Sequence, residues 1–427
     1  MIENLKNKTY SFLRSSERWT HADMIYLAKG GVWLGVGQAI TMISAFLSSV
    51  AFANLLPVET YGIYKYIFSL IAIISIPTLS GVSTAIIQAV SSGSEATLFT
   101  ATRTKMRWGI LSALLSIALA VYYYIGGNIS LSVCFFVAAI FLPLTDPLNA
   151  YTSYLNGKKN FKLITKFNII NQFVVLAVMA VTIWRTNNIW LIILLYYLVN
   201  TTANAFFYYL TLRLDPPNKK IDKEAISYGK HLTVMNIIAI IAGQVDKIFI
   251  WHYLGAAKLA VYALSMAPID QINSGLLKNT IALAMPKLSA NEGEALKKTF
   301  PPKVLKFTAL TMLAALIYII LAPIIYKLLF PKYLASIIYT RFYAITLAIL
   351  PLSLFNTALT AQKQKKKLYF ISYSASIIKI ILLAILLPKY GVAGAIGAII
   401  GSLLYNNSMQ IYLFYKIGSP SASGAQT

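Results

Sequence analysis

Residues 304–328 read VLKFTALTMLAALIYIILAPIIYKL, with charge only at Lys306 and Lys327. A helix of ~20 apolar residues crosses the ~30 Å hydrocarbon core of a bilayer, so this run is long enough to span a membrane. The run is continuously apolar and does not alternate, which favours a helix over a barrel strand. Because only helices and closed barrels satisfy every backbone group in lipid, the run predicts a membrane-spanning helix.

Similar runs lie on both sides of this one, and the composition agrees with them, since 58% of residues are hydrophobic and 12% are charged. We therefore predict an all-α polytopic membrane protein with about twelve transmembrane helices. The predicted spans are 30–55, 61–89, 104–126, 129–154, 162–184, 189–212, 228–253, 259–285, 304–328, 339–362, 368–388 and 392–416.

The positive charge lies mostly in every second gap between these spans. Lys and Arg total 37 against 13 Asp and Glu, a net charge of +24 that in a soluble protein would suggest nucleic acid. Here 27 of the 37 basic residues, Lys105 and Lys158 among them, fall on the side of the N-terminus. The positive-inside rule explains this bias, so we expect both termini in the cytoplasm and no nucleic-acid partner.

Two parts of the chain resemble each other. Residues 29–67 align with 227–265 at seven identities, and the Leu-Pro-Leu of 142–144 recurs at 350–352, each followed by a Lys-Lys pair. Six spans separate the copies, so both halves enter the membrane from the same side, as a parallel repeat about the membrane normal. This repeat predicts two six-helix bundles with a site between them near the midplane, the architecture of an alternating-access transporter.

The repeat also divides the chain into segments. We expect the N-terminal segment to be cytoplasmic, either a short interfacial helix or a disordered tail, and the last segment to be disordered. No cleaved signal peptide is predicted. The segments are 1–28, the N-terminal six-helix bundle 29–212, the cytoplasmic linker 213–227, the C-terminal six-helix bundle 228–417 and the tail 418–427.

Few ionisable side chains lie inside the predicted spans. Each costs ~2.5–3.5 kcal/mol to insert, so we expect it to face a cavity or a partner. Lys379 stands out as the twelfth residue of its predicted span, whereas Lys247 and Lys278 could instead snorkel to headgroups. The candidates for binding an anionic substrate are Lys379, Lys247, Lys278, Arg341 and Lys65. The candidates for ion coupling are Asp246, Asp270 and Asp146.

A polar stripe on the sixth span includes Asn200 and Asn204, which we add as candidates for lining a substrate cavity. Interhelical hydrogen bonding is the alternative explanation for such a stripe. The chain lacks a Gly-x-x-x-x-Gly-Lys-Ser/Thr phosphate loop and a metal-binding spacing of histidines, and its longest loops have about 20 residues. We therefore expect no catalytic residue, no metal and no bound cofactor. The single cysteine, Cys134, is expected to be a buried bystander.

Three motifs carry a family resemblance: Lys-Gly-Gly at 29–31, LLPVETYGIY at 55–64 and GQVDKIFI at 243–250. On these motifs the chain resembles the polysaccharide-biosynthesis (O-antigen type) flippases of the multidrug/oligosaccharidyl-lipid/polysaccharide exporter superfamily, over residues 25–417. The chain departs from many relatives at Lys247, where they often have arginine.

The resemblance implies two six-helix bundles around a central cationic cavity. It implies a transporter that flips undecaprenyl-pyrophosphate-linked oligosaccharides across the bacterial plasma (inner) membrane by alternating access, for O-antigen or capsule. Proton or sodium coupling, or the membrane potential, would drive the cycle. The implied partners are the polyprenyl-pyrophosphate-linked oligosaccharide, membrane lipids, a polysaccharide polymerase and a chain-length regulator.

Two other functions stay open. An ion-coupled multidrug or cation exporter of the same superfamily would favour acidic cavity residues, whereas the charges inside the spans are mixed. A membrane-embedded glycosyltransferase or polymerase is disfavoured by the short loops and the repeat.

Overall fold

The computed structural model describes residues 24–290, 293–362 and 364–416. These described residues are helical almost throughout and include no strand, as the length of the apolar runs predicts. Most of the N-terminal segment 1–28 and the tail 418–427 lie outside the described residues.

Six membrane spans make up the first half. Spans 2 and 4 each consist of two consecutive helices, and the other four are single helices. In chain order the helices are Met24–Leu55 (span 1), Val58–Ile74 and Ser80–Ser91 (span 2), Thr97–Ile125 (span 3), Ile129–Leu148 and Ala150–Gly157 (span 4), Phe161–Arg185 (span 5) and Ile189–Leu214 (span 6).

The second half contains helices that are long enough to cross twice. Its helices are Ala225–Ala242, Val245–Ala290, Gly293–Leu329, Ser336–Tyr343, Ile345–Ile349, Leu354–Ala361 and Lys365–Tyr415.

Two glycines fold the longest helices of the second half back on themselves. Gly255 has φ 81° and ψ 179°, and Gly391 has φ 59° and ψ −136°, a region that is essentially open to glycine alone. The chain reverses at Gly255, since the Tyr262 hydroxyl bonds Asp246 across this turn. It also reverses at Gly391, since a methyl group added to Gly394 would lie 2.1 Å from the Leu386 carbonyl oxygen.

Spans 7 to 12 follow from these two turns. Span 7 is Ala225–Ala242 continued by 245–254, and span 8 is 256–290. Spans 9 and 10 are the helices Gly293–Leu329 and 336–361, and spans 11 and 12 are 365–390 and 392–415.

The number of spans agrees with the sequence prediction. Nine helical stretches of the described chain are long and apolar enough to cross a membrane, and the bent pair of span 2 makes ten. Two of these stretches contain the Gly255 and Gly391 turns, so each crosses twice. The prediction of about twelve helices in an all-α membrane fold is confirmed.

Span 2 connects the two halves along its whole length. A methyl group added to Gly62 would lie 1.9 Å from the Ala256 carbonyl oxygen of span 8. A methyl group on Gly81 would lie 2.5 Å from the Gly229 carbonyl oxygen of span 7. We call the end of the molecule with Gly255 the hairpin end and the end with residues 215–224 the linker end. The backbones of the two halves therefore touch towards both ends.

Two spans are interrupted between these contacts. Span 2 bends by 49° between its helices, where Leu79 adopts a left-handed conformation at φ 63°. Span 7 is interrupted at Gly243 and Gln244, between its two helices. Broken helices leave backbone carbonyls unpaired in the membrane, and they occur where protein or a cavity surrounds them. Both interruptions border the candidate site.

Candidate transport site between the two halves

Three lysines and two aspartates approach one another where the halves meet. Lys65 comes from span 2, Asp246 and Lys247 from span 7, Asp270 from span 8 and Lys379 from span 11. The other four all act electrostatically on Lys247. We call these five residues the central cluster. Lysines exceed aspartates in it by one, so its formal charge is positive.

Lys379 binds groups on both sides of the interruption in span 7. Its Nζ donates to the Ala242 carbonyl at 2.6 Å and lies 3.3 Å from Asp246 Oδ1. Ala242 ends its helix, and the last carbonyls of a helix lack intrahelical partners and favour a nearby cation. The other oxygen of Asp246 accepts a hydrogen bond from Tyr262. Asp246 is only 3% exposed, so this carboxylate is held on both sides by protein groups.

Lys65 and Lys247 keep most of their donor capacity. An ammonium has three N–H donors. Lys247 uses one, on Gln244 Oε1 at 2.8 Å. Lys65 makes no hydrogen bond or ion pair in the described part of the chain, and its Nζ lies 5.1 Å from the Tyr61 ring centroid. The sequence singles out Lys379, but its bonds in the structure leave Lys65 and Lys247 as the freer cations.

Asp270 is the accessible carboxylate of the cluster. Its side chain is exposed and accepts a hydrogen bond from the Tyr343 hydroxyl at 2.7 Å. Asp270 also attracts the Lys65 ammonium. Of the two aspartates in the cluster, Asp270 is therefore the one whose side chain is open to solvent.

Of the two remaining basic candidates, only Arg341 has a described side chain, and it lies outside the cluster. Arg341 is exposed, and its Nε donates to the Ile319 carbonyl of span 9 at 3.0 Å. Lys278 lies on span 8, but its side chain is outside the described residues.

The first half has an open cavity of about 670 Å³ between spans 2, 4, 5 and 6, which Ile240 of span 7 also lines. Asp146, Asn200 and Asn204 all line it. The Asn204 amide also donates to the Thr145 carbonyl at 3.0 Å, and the Asn200 amide donates within its own helix. These asparagines therefore both border the cavity and form hydrogen bonds, the two alternatives that the sequence leaves open.

Lys105 is buried, contrary to the sequence interpretation. The charge pattern assigns it to a cytoplasmic loop, yet it is 1% exposed and its Nζ lies 2.9 Å from Asp146 Oδ2. Span 3 begins at Thr97 and not at 104, so Lys105 lies within the helix, in its third turn. Sequence reasoning missed it because a lysine close to a predicted span end looks like a loop residue.

The second half encloses a smaller cavity of about 300 Å³ between spans 7, 10, 11 and 12. Lys379, Asn406 and Gln410 line it. In the sequence alignment of the two predicted halves, Lys379 corresponds to Asn171, which lines the cavity of the first half. Each half thus has a cavity, and a lysine lines the one in the second half.

A metal site is not evident in the described residues, which contain no group of three His, Cys, Asp or Glu side chains that could hold an ion. Cys134 is buried in the first half.

Comparison with known proteins places this fold in a class. A solved lipid II flippase, MurJ in an inward closed conformation, is similar at a TM-score of 0.68 and 13% identity, over 89% of this chain and 87% of that one. An outward-facing MATE multidrug resistance transporter is similar at 0.58 and 14% identity, over 91% and 97%. A MOP superfamily transporter from Pyrococcus furiosus is similar at 0.58 and 12% identity, over 92% and 94%. The chain therefore has the fold of the MOP superfamily of transporters.

The family follows from the sequence itself. The pattern of the polysaccharide biosynthesis protein family matches residues 27–292, and the chain belongs to this family. A search of curated proteins found no match.

Proposed function

We propose that this protein moves a polyprenyl-pyrophosphate-linked oligosaccharide across the bacterial plasma membrane, for assembly of a surface polysaccharide such as O-antigen or capsule. The observation that carries the proposal is the central cluster, in which Lys65 and Lys247 keep free N–H donors between the two halves. A pyrophosphate is anionic and therefore costly to move through hydrocarbon. Lysine ammoniums offset that cost as point charges that bind phosphate oxygens.

The lipid tail does not need the protein interior. Polyprenyl chains are as apolar as the hydrocarbon core, so the tail stays in lipid while the headgroup crosses between the halves. The backbone contacts of span 2 at Gly62 and at Gly81 are the natural gates, since each brings helices of the two halves together. Opening one contact while keeping the other gives alternating access, with the linker end in the cytoplasm as the charge pattern predicts.

Coupling to an ion gradient is a second part of the proposal. Asp270 offers an exposed carboxylate next to Lys65. Binding of H⁺ or Na⁺ there would strengthen the positive field on the phosphate, and release would weaken it. Membrane lipids, a polysaccharide polymerase and a chain-length regulator are the partners we propose for the cycle.

A cation exporter is the alternative within the same superfamily. The observation in its favour is the same exposed Asp270. Against it, the other carboxylate of the cluster, Asp246, is bound by Lys379 and Tyr262. The positive balance of the cluster favours an anionic headgroup.

Complementation of a flippase-deficient bacterial strain tests the function. We expect Lys65→Gln and Lys247→Gln each to lower surface polysaccharide at least about tenfold, as the loss of one charged hydrogen bond of ~1.5–3 kcal/mol predicts. Lys389→Gln is the control, because Lys389 is exposed beyond the cluster. Full complementation by both cluster variants would contradict the proposal.

Lys379 needs a separate design because its loss leaves Asp246 buried and unpaired. Lys379→Gln alone could fail through misfolding, since an uncompensated buried charge costs ~3–5 kcal/mol. The double variant Asp246→Asn with Lys379→Gln removes both charges. If Lys379 serves only the ion pair, the double variant recovers function. If its charge also attracts the substrate, the double variant inserts and folds but stays impaired.

A further inference from the structure

We infer that the cavity of the first half is a binding pocket for uncharged sugar residues, separate from the lysines of the central cluster. This inference rests on the proposed function. It assigns the pyrophosphate of the headgroup to the lysines and its sugars to the cavity. The cavity measures about 670 Å³, within the ~300–1,000 Å³ that small-ligand pockets occupy.

Six side-chain amides line this pocket. An amide carries both donors and acceptors, which matches the hydroxyl groups of a sugar. The lining amides are Asn149, Asn156, Asn168, Asn171, Asn200 and Asn204. The first three are exposed to the cavity and make no side-chain hydrogen bond in the described part of the chain.

One of these amides has an unused buried acceptor. Asn171 Oδ1 is buried and has no hydrogen-bond partner among the described residues. Buried polar groups are almost always paired, so an unpaired one in a cavity wall indicates a missing ligand group. A sugar hydroxyl would donate to this oxygen.

Aromatic rings supply the other half of sugar recognition. Tyr151, Tyr196, Tyr197 and Phe68 line the same cavity. Rings give large, rigid apolar surface, on which the C–H face of a sugar packs, and tyrosine adds a hydroxyl at its rim. The described residues that line the cavity of the second half include no aromatic side chain.

The charge of the pocket is balanced. Among the described residues, Asp146 alone brings a charge to the lining, and the buried ammonium of Lys105 lies 2.9 Å from its Oδ2. The side chain of Asp146 is 42% exposed, so the carboxylate can still accept from sugar hydroxyls. A charge-balanced pocket neither attracts pyrophosphate nor favours a cation, which leaves neutral hydroxylated groups as its ligands.

Saturation-transfer difference NMR on the purified full-length chain in detergent tests this pocket. The probes are free glucose, galactose, rhamnose and N-acetylglucosamine, with no lipid attached. We expect saturation transfer to the ring protons of at least one sugar. The double variant Asn168→Ala/Asn171→Ala should lower this signal about fivefold or more, because each hydrogen bond contributes roughly that factor to the affinity. Thermal unfolding checks that the double variant is folded.

The matched control is Asn406→Ala, which truncates an amide in the cavity of the second half. We expect its sugar signal to equal that of the wild type. No transfer from any of the four sugars, or equal transfer in wild type and Asn168→Ala/Asn171→Ala, overturns the inference. Phosphorus NMR with inorganic pyrophosphate on the same samples measures anion binding at the lysines of the central cluster. Failure of the sugar pocket and failure of the proposed function are therefore distinguishable.

Discussion

Two lysines of this protein differ in whether their ammonium groups already bind other protein groups. Lys379 and Lys65 are both lysines of the central cluster, but Lys379 bonds a helix-end carbonyl and Asp246. Lys65 makes no hydrogen bond or ion pair in the described structure, and its Nζ lies 5.1 Å and 5.9 Å from the ring centroids of Tyr61 and Tyr64. The same residue type therefore serves the architecture in one place and is available to a ligand in the other.

The pair of Lys105 and Asp146 predicts an asymmetry in stability. Lys105 is 1% exposed and Asp146 is 42% exposed. Asp146→Ala leaves a buried cation without its partner, which costs ~3–5 kcal/mol. Lys105→Ala leaves a carboxylate that faces the cavity, so we expect a smaller loss. Thermal unfolding in detergent would measure both, and equal losses, or a larger loss for Lys105→Ala, would contradict the asymmetry.

Residues of the central cluster could be named from the sequence, and their partners could not. A charge inside a long apolar run is conspicuous, which is why Lys65, Lys247 and Lys379 could be selected in advance. Hydrogen bonds such as Lys379 to Ala242 join distant spans and follow from the fold alone. Lys105 was missed because its burial depends on where the helix of span 3 begins.

At the level of elements, the linker between the halves is fastened to the first half. Glu95 accepts hydrogen bonds from Lys158 at 2.9 Å and from the Asn218 backbone N–H at 2.9 Å. Lys158 also lies 3.2 Å from Asp215. The predicted linker 213–227 corresponds to the non-helical residues 215–224. These contacts fix the start of span 7 relative to the end of span 6.

The contact between Glu95 and Lys158 shifts both pKa values in the direction that favours the charged forms. Burial raises the pKa of Glu95, but the hydrogen bonds from Lys158 and Asn218 outweigh burial, so the pKa ends below its ordinary value of 4.5. The hydrogen bond to Glu95 raises the pKa of Lys158 above its ordinary 10.5, against burial and with help from Asp215. The stabilisation from Glu95 is present above pH 4.5 and is lost as pH falls through the lowered value. The stabilisation from Lys158 is present below pH 10.5 and is lost as the pH rises through the raised pKa of its ammonium.

Glu95→Gln should loosen the linker at neutral pH. Losing a charge-assisted contact of ~1.5 kcal/mol speeds local opening about tenfold. Trypsin cleavage at Lys219 and Lys220 measures this opening in the purified protein. Glu224→Gln is the control, because Glu224 is exposed and its carboxylate makes no described contact. Equal cleavage rates for wild type and Glu95→Gln would show that the contact does not hold the linker.

The glycine contacts of span 2 predict a second effect on an element. Gly62→Ala places a methyl group 1.9 Å from the Ala256 carbonyl oxygen, so spans 2 and 8 must separate at the hairpin end. We expect maleimide to label the Ala260→Cys thiol about tenfold faster in this background. Ala260 is fully buried in a cluster that includes Tyr61 of span 2. Overpacking of this kind costs ~1–3 kcal/mol, which corresponds to roughly that factor.

The control for this labelling is Gly35→Ala, since no atom lies within 4 Å of a methyl group at Gly35. It should leave the labelling rate unchanged. Unchanged labelling in Gly62→Ala would mean that this contact does not keep the hairpin end closed.

For the whole molecule, we compare what the predicted repeat accounts for with what depends on packing. The apolar runs and the duplicated motifs predict two halves, because run length and repetition are properties of the sequence alone. The cavities and the bends at Leu79 and Gly243 could not be predicted, because they depend on how the spans pack. Each half has its own cavity, but the free lysines lie between the halves.

The most direct test of the central claim is headgroup flipping in proteoliposomes. The substrate is a fluorescent polyprenyl-pyrophosphate oligosaccharide, and the readout is its loss of protection from an added quencher. We predict that the wild type flips it and that Lys65→Gln/Lys247→Gln flips at least about a hundredfold more slowly, because two charge-assisted contacts are removed. Lys389→Gln should match the wild type. Equal rates for wild type and the double variant would contradict the account.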